Sequence, residues 1–140
     1  MYYTNKQKTM IVSFTIKKVI EYRNDELAYF ATKDLKELQQ KKDTFGDIII
    51  PDFDFEVNDN TLWYESVFVK GNPISNSEMK SIVWPLCVMR EDTFTINNYD
   101  RYNFIRCQDS KDIYFIDLND CYHSSIEERK KAFSKQVCVL

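Results

Sequence analysis

Glycine and histidine are scarce in this chain. Its 140 residues include two glycines, Gly46 and Gly71, and one histidine, His123. A loop that wraps the phosphates of a nucleotide needs several closely spaced glycines, so a glycine-rich loop of this type is excluded. The four cysteines show no C-x-x-C pair, and with a single histidine a thiolate zinc site is not expected.

Long apolar runs and blocks of like charge are also absent. No stretch approaches the ~18 consecutive apolar residues of a transmembrane helix. The opening "MYYTNKQKTMIVSF" lacks the cationic lead and apolar run of a signal peptide. The formal net charge of −3 comes from interspersed Lys, Asp and Glu, which argues against a basic surface for nucleic acid. We expect a cytoplasmic protein with free, mostly buried thiols and no membrane or nucleic-acid partner.

Aromatic side chains are abundant. Ten Phe, nine Tyr and two Trp make up 15% of the chain. This composition favours an ordered globular protein over a disordered one. A chain of this length fits one domain that buries about two-thirds of its unfolded surface. We therefore predict a single domain over residues 1–140.

Apolar periodicity predicts a strand and then a helix near the start of the chain. Residues 10–22 alternate apolar with polar side chains and are rich in β-branched residues, as a strand is. Residues 23–42 place their apolar side chains three or four positions apart, which is the spacing of an amphipathic helix. Asn24 or Asp25 is the predicted N-cap of this helix.

The rest of the chain reads as two hairpins, an irregular segment and a second helix. Residues 47–70 predict two antiparallel strands around an "NDN" turn, and residues 76–89 predict a short helical segment ended by Pro85. Ser124 and Glu127 have the spacing of a capping box at the start of a C-terminal helix. The predicted fold is α+β: an antiparallel sheet with one main helix packed on it, and a C-terminal helix.

The second hairpin, residues 103–118, has polar residues of a particular kind at its two ends. Asn103 opens it and Asp117 closes it, 14 positions later. The two ends of one hairpin lie side by side, so a carboxamide and a carboxylate are expected to meet there. Asn and Asp often begin and end hairpins for turn and capping reasons alone.

Three stretches in this order resemble the protein-kinase-like fold, over roughly residues 15–120. "FTIKKVI" is similar to the V-A-I-K strand, and "LWYESVFVKGNPI" is similar to the strand and hinge beside the nucleotide base, where Gly71 would let the backbone bend. "YNFIRCQDSKDIYFIDLND" is similar to the hairpin that ends in the metal-binding aspartate. The resemblance implies a kinase N-lobe with a minimal remnant of the C-lobe, and ATP with Mg²⁺ as the ligand.

The resemblance also implies roles for individual residues. Lys17 or Lys18 would be the lysine that reaches the phosphates, and Glu37 on the following helix would be its ion-pair partner. One of two adjacent strand residues faces away from any given site, and the choice between the lysines stays open. Asn103 and Asp117 would be the metal ligands.

The catalytic-loop motif H-R-D-x-x-x-x-N is not matched as a whole. Five positions before Asn103 stands Asn98 in place of the aspartate base, and Asp100 is offset from that position. In a second register Asp92 and Asn97 keep the five-position spacing. In that register, however, Asp117 at the end of the hairpin lies too far along the chain from Asn97. Asp92 and Asp100 are the candidate bases. About twenty residues follow the hairpin, fewer than a substrate-binding lobe needs, so the resemblance implies a pseudokinase that binds a nucleotide.

A non-enzymatic protein-interaction module is the main alternative. Asp52, Asp54 and Glu56 alternate with aromatic and apolar residues, so one strand would present an acidic aromatic face to a partner protein. An accessory or virus-encoded inhibitor would use such a face. A third alternative is a thiol hydrolase with Cys121 as nucleophile and His123 as base.

Overall fold

The computed structural model describes residues 4–12, 15–42, 45–89, 94–96, 99–118, 121–123 and 125–137. The chain divides into two compact units. Unit 1 comprises Met1–Lys41 and Pro51–Phe68, and unit 2 comprises Lys42–Ile50 and Val69–Leu140. The single domain expected over residues 1–140 stays a prediction.

The secondary structure elements lie in both units. The strands are β1 (Thr4–Val12), β2 (Thr15–Tyr22), β3 (Ile48–Ile49), β4 (Phe53–Asn58), β5 (Thr61–Val67), β6 (Gly71–Pro73), β7 (Phe94–Ile96), β8 (Phe104–Cys107), β9 (Ile113–Phe115) and β10 (Cys121–His123). The helices are α1 (Asp25–Gln40), α2 (Asn76–Glu78) with its continuation as a π-helix (Met79–Val88), a 3₁₀ turn (Arg101–Asn103) and α3 (Ile126–Gln136).

Unit 1 contains an antiparallel sheet in the order β1-β2-β5-β4. Successive strand residues point to opposite faces of a sheet, and here the two faces differ in burial. On β5, Leu62 and Tyr64 are buried, whereas Trp63 and Glu65 are partly exposed. The hairpin of β4 and β5 matches the prediction, with Asp59 in the left-handed region at φ 55° in its turn. One face of the sheet therefore forms the core of this unit.

Helix α1 covers the buried face of this sheet. Asn24 is its N-cap, because the side-chain Oδ1 accepts a hydrogen bond from Leu27 N at 2.9 Å. Near the other end, Gln39 Nε2 donates to Phe53 O at 2.8 Å, which ties the helix to β4. The stripe that packs toward the sheet consists of Ala28, Ala31, Leu35 and Leu38. The predicted helix and its Asn24 cap are confirmed.

The single strand predicted over residues 10–22 is wrong. Strand β1 ends at Val12, strand β2 begins at Thr15, and these two residues pair across an antiparallel ladder. Apolar and β-branched residues continue from the end of β1 into β2, so the sequence pattern shows no break where the chain reverses. A reversal without glycine or proline gives no composition signal.

Unit 2 contains a four-stranded sheet in the order β3-β9-β8-β6 and a two-stranded sheet of β10 and β7. Strands β8 and β9 form the second predicted hairpin, with Phe104 opposite Phe115. Strand β3 pairs with β9 in parallel. Strand β7 has three residues, which is too short to show a period of two in the sequence.

The helix that includes Pro85 does not end there, contrary to the prediction. It continues to Val88 as a π-helix, and Met89 N donates to Trp84 O, five positions earlier, at 3.1 Å. In an α-helix the proline ring clashes with the carbonyl four positions earlier. The wider π turn displaces that carbonyl, so the helix continues past the proline.

Helix α3 begins one residue later than predicted. Its N-cap is Ser125, whose Oγ accepts a hydrogen bond from Glu128 N at 3.2 Å. The capping box predicted at Ser124 and Glu127 is therefore wrong by one position, since the same S-x-x-E spacing recurs one residue on. Ser124 itself lies outside the described residues.

The predicted α+β class is confirmed. The structure has a mostly antiparallel sheet with one main helix packed on it, and a C-terminal helix. None of the helices within the described ranges is long and apolar enough to cross a bilayer.

Candidate functional site

The two ends of the β8–β9 hairpin lie beside each other in unit 2. Ile116 N donates to Asn103 O at 3.0 Å, which continues the ladder that pairs Phe104 with Phe115. Asp117 is the next residue after Ile116, and both Asn103 and Asp117 are partly exposed. The structure thus brings together the backbones of the two residues predicted as metal ligands.

Of the two candidate bases, the structure describes Asp100 and not Asp92. Asp100 is the N-cap of the 3₁₀ turn, and its Oδ1 accepts a hydrogen bond from Tyr102 N at 3.0 Å. Asn103 N donates to Asp100 O at 3.0 Å, so this turn leads directly into the hairpin end. Asp92 lies outside the described residues, and its role as a base stays a prediction.

Lys17 and Lys18 point to opposite faces of the sheet in unit 1. Lys17 Nζ lies 4.4 Å from the centroid of the Trp63 ring, on the face that α1 does not cover. Lys18 pairs with Tyr64, which is 3% exposed, and belongs to the same face as the fully buried Ile20. Lys17 therefore lies on the outer face of the sheet, and Lys18 lies on the face that α1 covers.

Glu37 lies on α1 and is partly exposed. Its Oε1 is 3.4 Å from Lys41 Nζ, one helical turn further along. Such pairs stabilise a helix by a few tenths of a kcal/mol. This contact gives Glu37 a local helical role, and its predicted pairing with the strand lysine stays a prediction.

Across the described ranges, no group of three or more His, Cys, Asp and Glu side chains is placed to hold a metal ion. A site with Asn103 and Asp117 has two protein ligands. Mg²⁺ is commonly held by one or two carboxylates, with waters and substrate phosphates as its other ligands.

Gly71 is required by a close approach of two strands in unit 2. It pairs with Cys107 across β6 and β8, and a Cβ added at Gly71 would lie 1.9 Å from Arg106 O. A side chain cannot be placed there unless the strands separate. The sequence suggested a bend at this glycine, and the structure adds a steric reason why no larger residue fits there.

An ion pair joins the start of α2 to β8. Arg106 Nη2 donates to Glu78 Oε2, and Glu78 Oε1 accepts from Ser75 N at 3.2 Å in a complete capping box. The Arg106 guanidinium, followed by the Ser75 N–H, lowers the pKa of Glu78 below its usual value. Both side chains are about one-third exposed, at 39% for Arg106 and 34% for Glu78, so solvent weakens this pair.

A cavity of about 220 Å³ opens beside this ion pair, entirely within unit 2. Its cationic groups hydrogen-bond inside the unit: Arg106 Nη1 donates to Lys111 O at 2.7 Å, and Lys111 Nζ donates to Gln108 O at 2.9 Å. These contacts use donors that an anionic ligand would need. The cavity is lined by Gly71, Ile74, Glu78, Arg106, Cys107 and Lys111, among others.

Comparisons with known proteins gave no family for this chain. No protein-family model matches it, and no curated protein matches it either.

Cys107 is a thiol with altered acidity. Hydrogen bonds from the Ser110 side chain, and then from the backbone N–H groups of Ser110 and Asp109, lower the pKa of Cys107. These donors favour the thiolate because they bind its charge. The other described free cysteine, Cys87, is buried at 3% exposure.

Cys107 will therefore be alkylated by iodoacetamide faster at pH 7 than Cys87. The Ser110→Ala variant removes the largest favourable contact, raises the pKa of Cys107 and shifts the pH profile of alkylation upward. Peptide mass spectrometry after timed labelling measures both rates. Unchanged profiles in wild type and Ser110→Ala would contradict the assigned cause, and labelling in urea, where the turn is lost, gives the reference rate.

Sequence reasoning missed several residues at these sites. Glu78 and Arg106 are 28 positions apart, and no local pattern links them. Cys107 and Ser110 carried a detectable signal, because a serine three residues after a cysteine in a polar turn is placed to donate to it.

Proposed function

We propose that this protein binds a nucleoside triphosphate together with a divalent cation, as a kinase-like domain without phosphotransfer. The observation that carries the proposal is the hairpin end in unit 2. There the backbone bond from Ile116 to Asn103 places a carboxamide residue next to the carboxylate residue Asp117. A carboxylate with a neighbouring amide oxygen suits Mg²⁺, which would bring the phosphates with it.

The order of the elements supports the proposal. In unit 1 a lysine strand, β2, is followed by helix α1 and then by the strand pair β4 and β5, all in one antiparallel sheet. In unit 2 the 3₁₀ turn leads into the hairpin that ends before Asp117. This is the order expected from the kinase-like resemblance. The order of elements does not determine function, so the proposed function depends on the residues at the hairpin end.

Lys18 is the better candidate for the phosphate lysine. In kinases this lysine lies on a strand and is held by an acidic residue of the helix that packs on the same sheet. Lys18 lies on the face that α1 covers, whereas Lys17 lies over Trp63 on the other face. Within unit 1, Lys18 therefore has the placement on a helix-covered face that the resemblance implies for the phosphate lysine.

The proposal is limited to binding. Asn98 stands five positions before Asn103, where the motif has its aspartate. A carboxamide cannot accept the proton of a substrate hydroxyl as a base does. Two glycines in the chain also leave no glycine-rich loop over the phosphates. Tight positioning of the terminal phosphate is therefore not expected.

Thermal melting with Mg-ATP tests the proposal. A ligand at about 100 times its Kd stabilises the folded state by about 2.7 kcal/mol, which raises the Tm by several degrees. We expect this rise with Mg-ATP and its loss when EDTA removes the cation. The rise should also be lost in Asp117→Asn.

Matched variants separate binding from general damage. Asp112→Asn changes an exposed aspartate in the turn of the same hairpin, and Lys17→Met changes a lysine on the outer face of the unit 1 sheet. Both should keep the Mg-ATP effect. The proposal is wrong if millimolar Mg-ATP does not stabilise the wild type, or if Asp117→Asn responds as the wild type does while melting at a similar temperature without nucleotide.

A protein-interaction module is the second candidate function, and the outer face of the unit 1 sheet favours it. Asp54 and Glu56 on β4 are exposed there. They lie opposite Glu65 and Trp63 of the neighbouring strand. This acidic aromatic face matches the surface expected for a protein partner. The same Mg-ATP titration separates the two functions, because binding of a protein partner at this face requires neither a nucleotide nor a divalent cation.

A further inference from the structure

The cavity in unit 2 has a thiol in its lining as well as charged side chains of both signs. Cys107 lines it together with Glu78, Arg106 and Lys111. We propose that this cavity is a covalent modification site, where Cys107 forms a reversible mixed disulfide with a low-molecular-weight disulfide that has amino-acid ends. All four residues belong to unit 2, and the proposal does not depend on nucleotide binding.

Cys107 is accessible at the end of β8. It is partly exposed, and its partner across the ladder of β6 and β8 is Gly71. Directly opposite residues of an antiparallel pair are the ones whose side chains contact each other. No side chain fits at Gly71, because a Cβ there would lie 1.9 Å from Arg106 O. The residue opposite Cys107 therefore contributes only backbone to the wall of the cavity.

The turn after β8 stabilises the thiolate form of Cys107. The Ser110 hydroxyl, and then the backbone N–H groups of Ser110 and Asp109, lower the pKa of this thiol, whereas the Asp109 carboxylate is the weakest influence and raises it. Backbone bonds from Cys107 N to Asp112 O at 2.8 Å and from Lys111 N to Cys107 O at 3.0 Å close the turn. A stabilised thiolate attacks disulfides near neutral pH, and it also leaves readily when a second thiol attacks the product. The mixed disulfide at Cys107 is therefore both formed and released readily.

The size and charge of the cavity select the end group of the reagent. Its volume of about 220 Å³ is below the roughly 300–1,000 Å³ of pockets for drug-sized ligands, so it suits a group of amino-acid size. The Lys111 ammonium has three N–H donors, and Gln108 O accepts one of them at 2.9 Å. Lys111 can therefore also donate to a carboxylate in the cavity. The Glu78 carboxylate, which Arg106 already contacts, offers an acceptor for the ammonium group of the same end.

The reaction is a thiol–disulfide exchange in which the reagent is the oxidant. The thiol proton of Cys107 passes to water, and the thiolate attacks one sulfur of the reagent. A bond forms between Cys107 Sγ and that sulfur, while the S–S bond of the reagent breaks and its electron pair leaves with the other sulfur as a thiolate. Cys107 is oxidised and the leaving half is reduced. The retained half keeps its amino-acid end beside Lys111 and Glu78.

Timed incubation of the full chain with oxidised glutathione, followed by peptide mass spectrometry, tests the site. We expect Cys107 to gain a glutathionyl group on the order of tenfold faster than the buried Cys87, and dithiothreitol to remove it. At low ionic strength Lys111→Gln should slow this reaction about threefold, because a cationic partner of the carboxylate is lost. Bis(2-hydroxyethyl) disulfide, which is uncharged, should react with the wild type and Lys111→Gln at equal rates. Cystine, whose ends are single amino acids, should depend on Lys111 as oxidised glutathione does.

Two further variants control for other effects of the substitution. Lys131→Gln changes an exposed lysine of α3 outside the lining of the cavity and should leave every rate unchanged. Lys111→Arg keeps the charge and should react at nearly the wild-type rate. If Lys111→Gln slows the charged and uncharged reagents equally, or slows neither, recognition of amino-acid ends is refuted. Modification of Cys87 as fast as Cys107 would refute the site itself.

Discussion

Replacing Phe133 by alanine will destabilise unit 2 by about 3–5 kcal/mol, the usual cost of removing a fully buried aromatic side chain. Phe133 is 0% exposed. Its ring meets Trp84 edge-on at a centroid distance of 5.1 Å and Tyr99 at 5.5 Å. The substitution removes both edge-to-face contacts and leaves a void that close-packed neighbours fill only in part.

Tryptophan fluorescence during urea unfolding measures this effect. The chain has two tryptophans, with Trp63 in unit 1 and Trp84 in unit 2. A Trp63→Phe background therefore reports from unit 2, where the perturbed ring contacts the probe. Phe133→Leu should lose less because it refills part of the volume, and Ser134→Ala, at an exposed position of the same helix, should be near neutral. A loss below about 1.5 kcal/mol for Phe133→Ala would contradict the packing described for α3.

Replacing Arg129 by alanine will cost about 2–4 kcal/mol. Arg129 is 1% exposed, and its Nε donates to Val88 O at 2.9 Å, which connects α3 to the end of the π-helix. Alanine removes this donor from a buried carbonyl and also leaves a large void. Removing the charge recovers part of its desolvation cost, so we expect a smaller effect than at Phe133.

Two further substitutions separate these contributions. Arg129→Met fills much of the volume without a donor. Its free energy of unfolding should therefore lie between those of the wild type and Arg129→Ala. Arg129→Lys keeps a positive charge but lacks the Nε group that reaches Val88 O, and it should also be less stable than wild type. Urea unfolding in the Trp63→Phe background measures all three variants. If Arg129→Ala and Arg129→Met lose equal amounts of stability, the void contributes nothing and this explanation of the buried arginine is wrong.

Local sequence patterns predicted those elements whose signals lie within one segment. The stripe of α1 repeats every three to four residues, and the Asn24 cap lies directly before it. The β4–β5 turn contains Asp59, a residue type that tolerates the left-handed region. Elements without such signals were missed: the reversal between Val12 and Thr15, and the short strands β7 and β10.

In the candidate site, too, features with a local sequence signal were predicted and features that depend on tertiary packing were not. The adjacency of Asn103 and Asp117 could be predicted because one hairpin carries both residues. The choice between Lys17 and Lys18 could not, because it depends on which face α1 covers, and that follows from pairing of β2 with β5 over 40 residues away.

By itself the sequence determined the α+β class, the main helix with its cap, both hairpins and the pairing of an amide with a carboxylate at one hairpin end. These features depend on periodicity, capping and turn chemistry among residues that are near in the chain. The tertiary structure alone decided which lysine lies under the helix and why Gly71 has no room for a side chain. Each of these depends on strand register and burial against distant partners, and the free energy of such contacts is not encoded in any single segment.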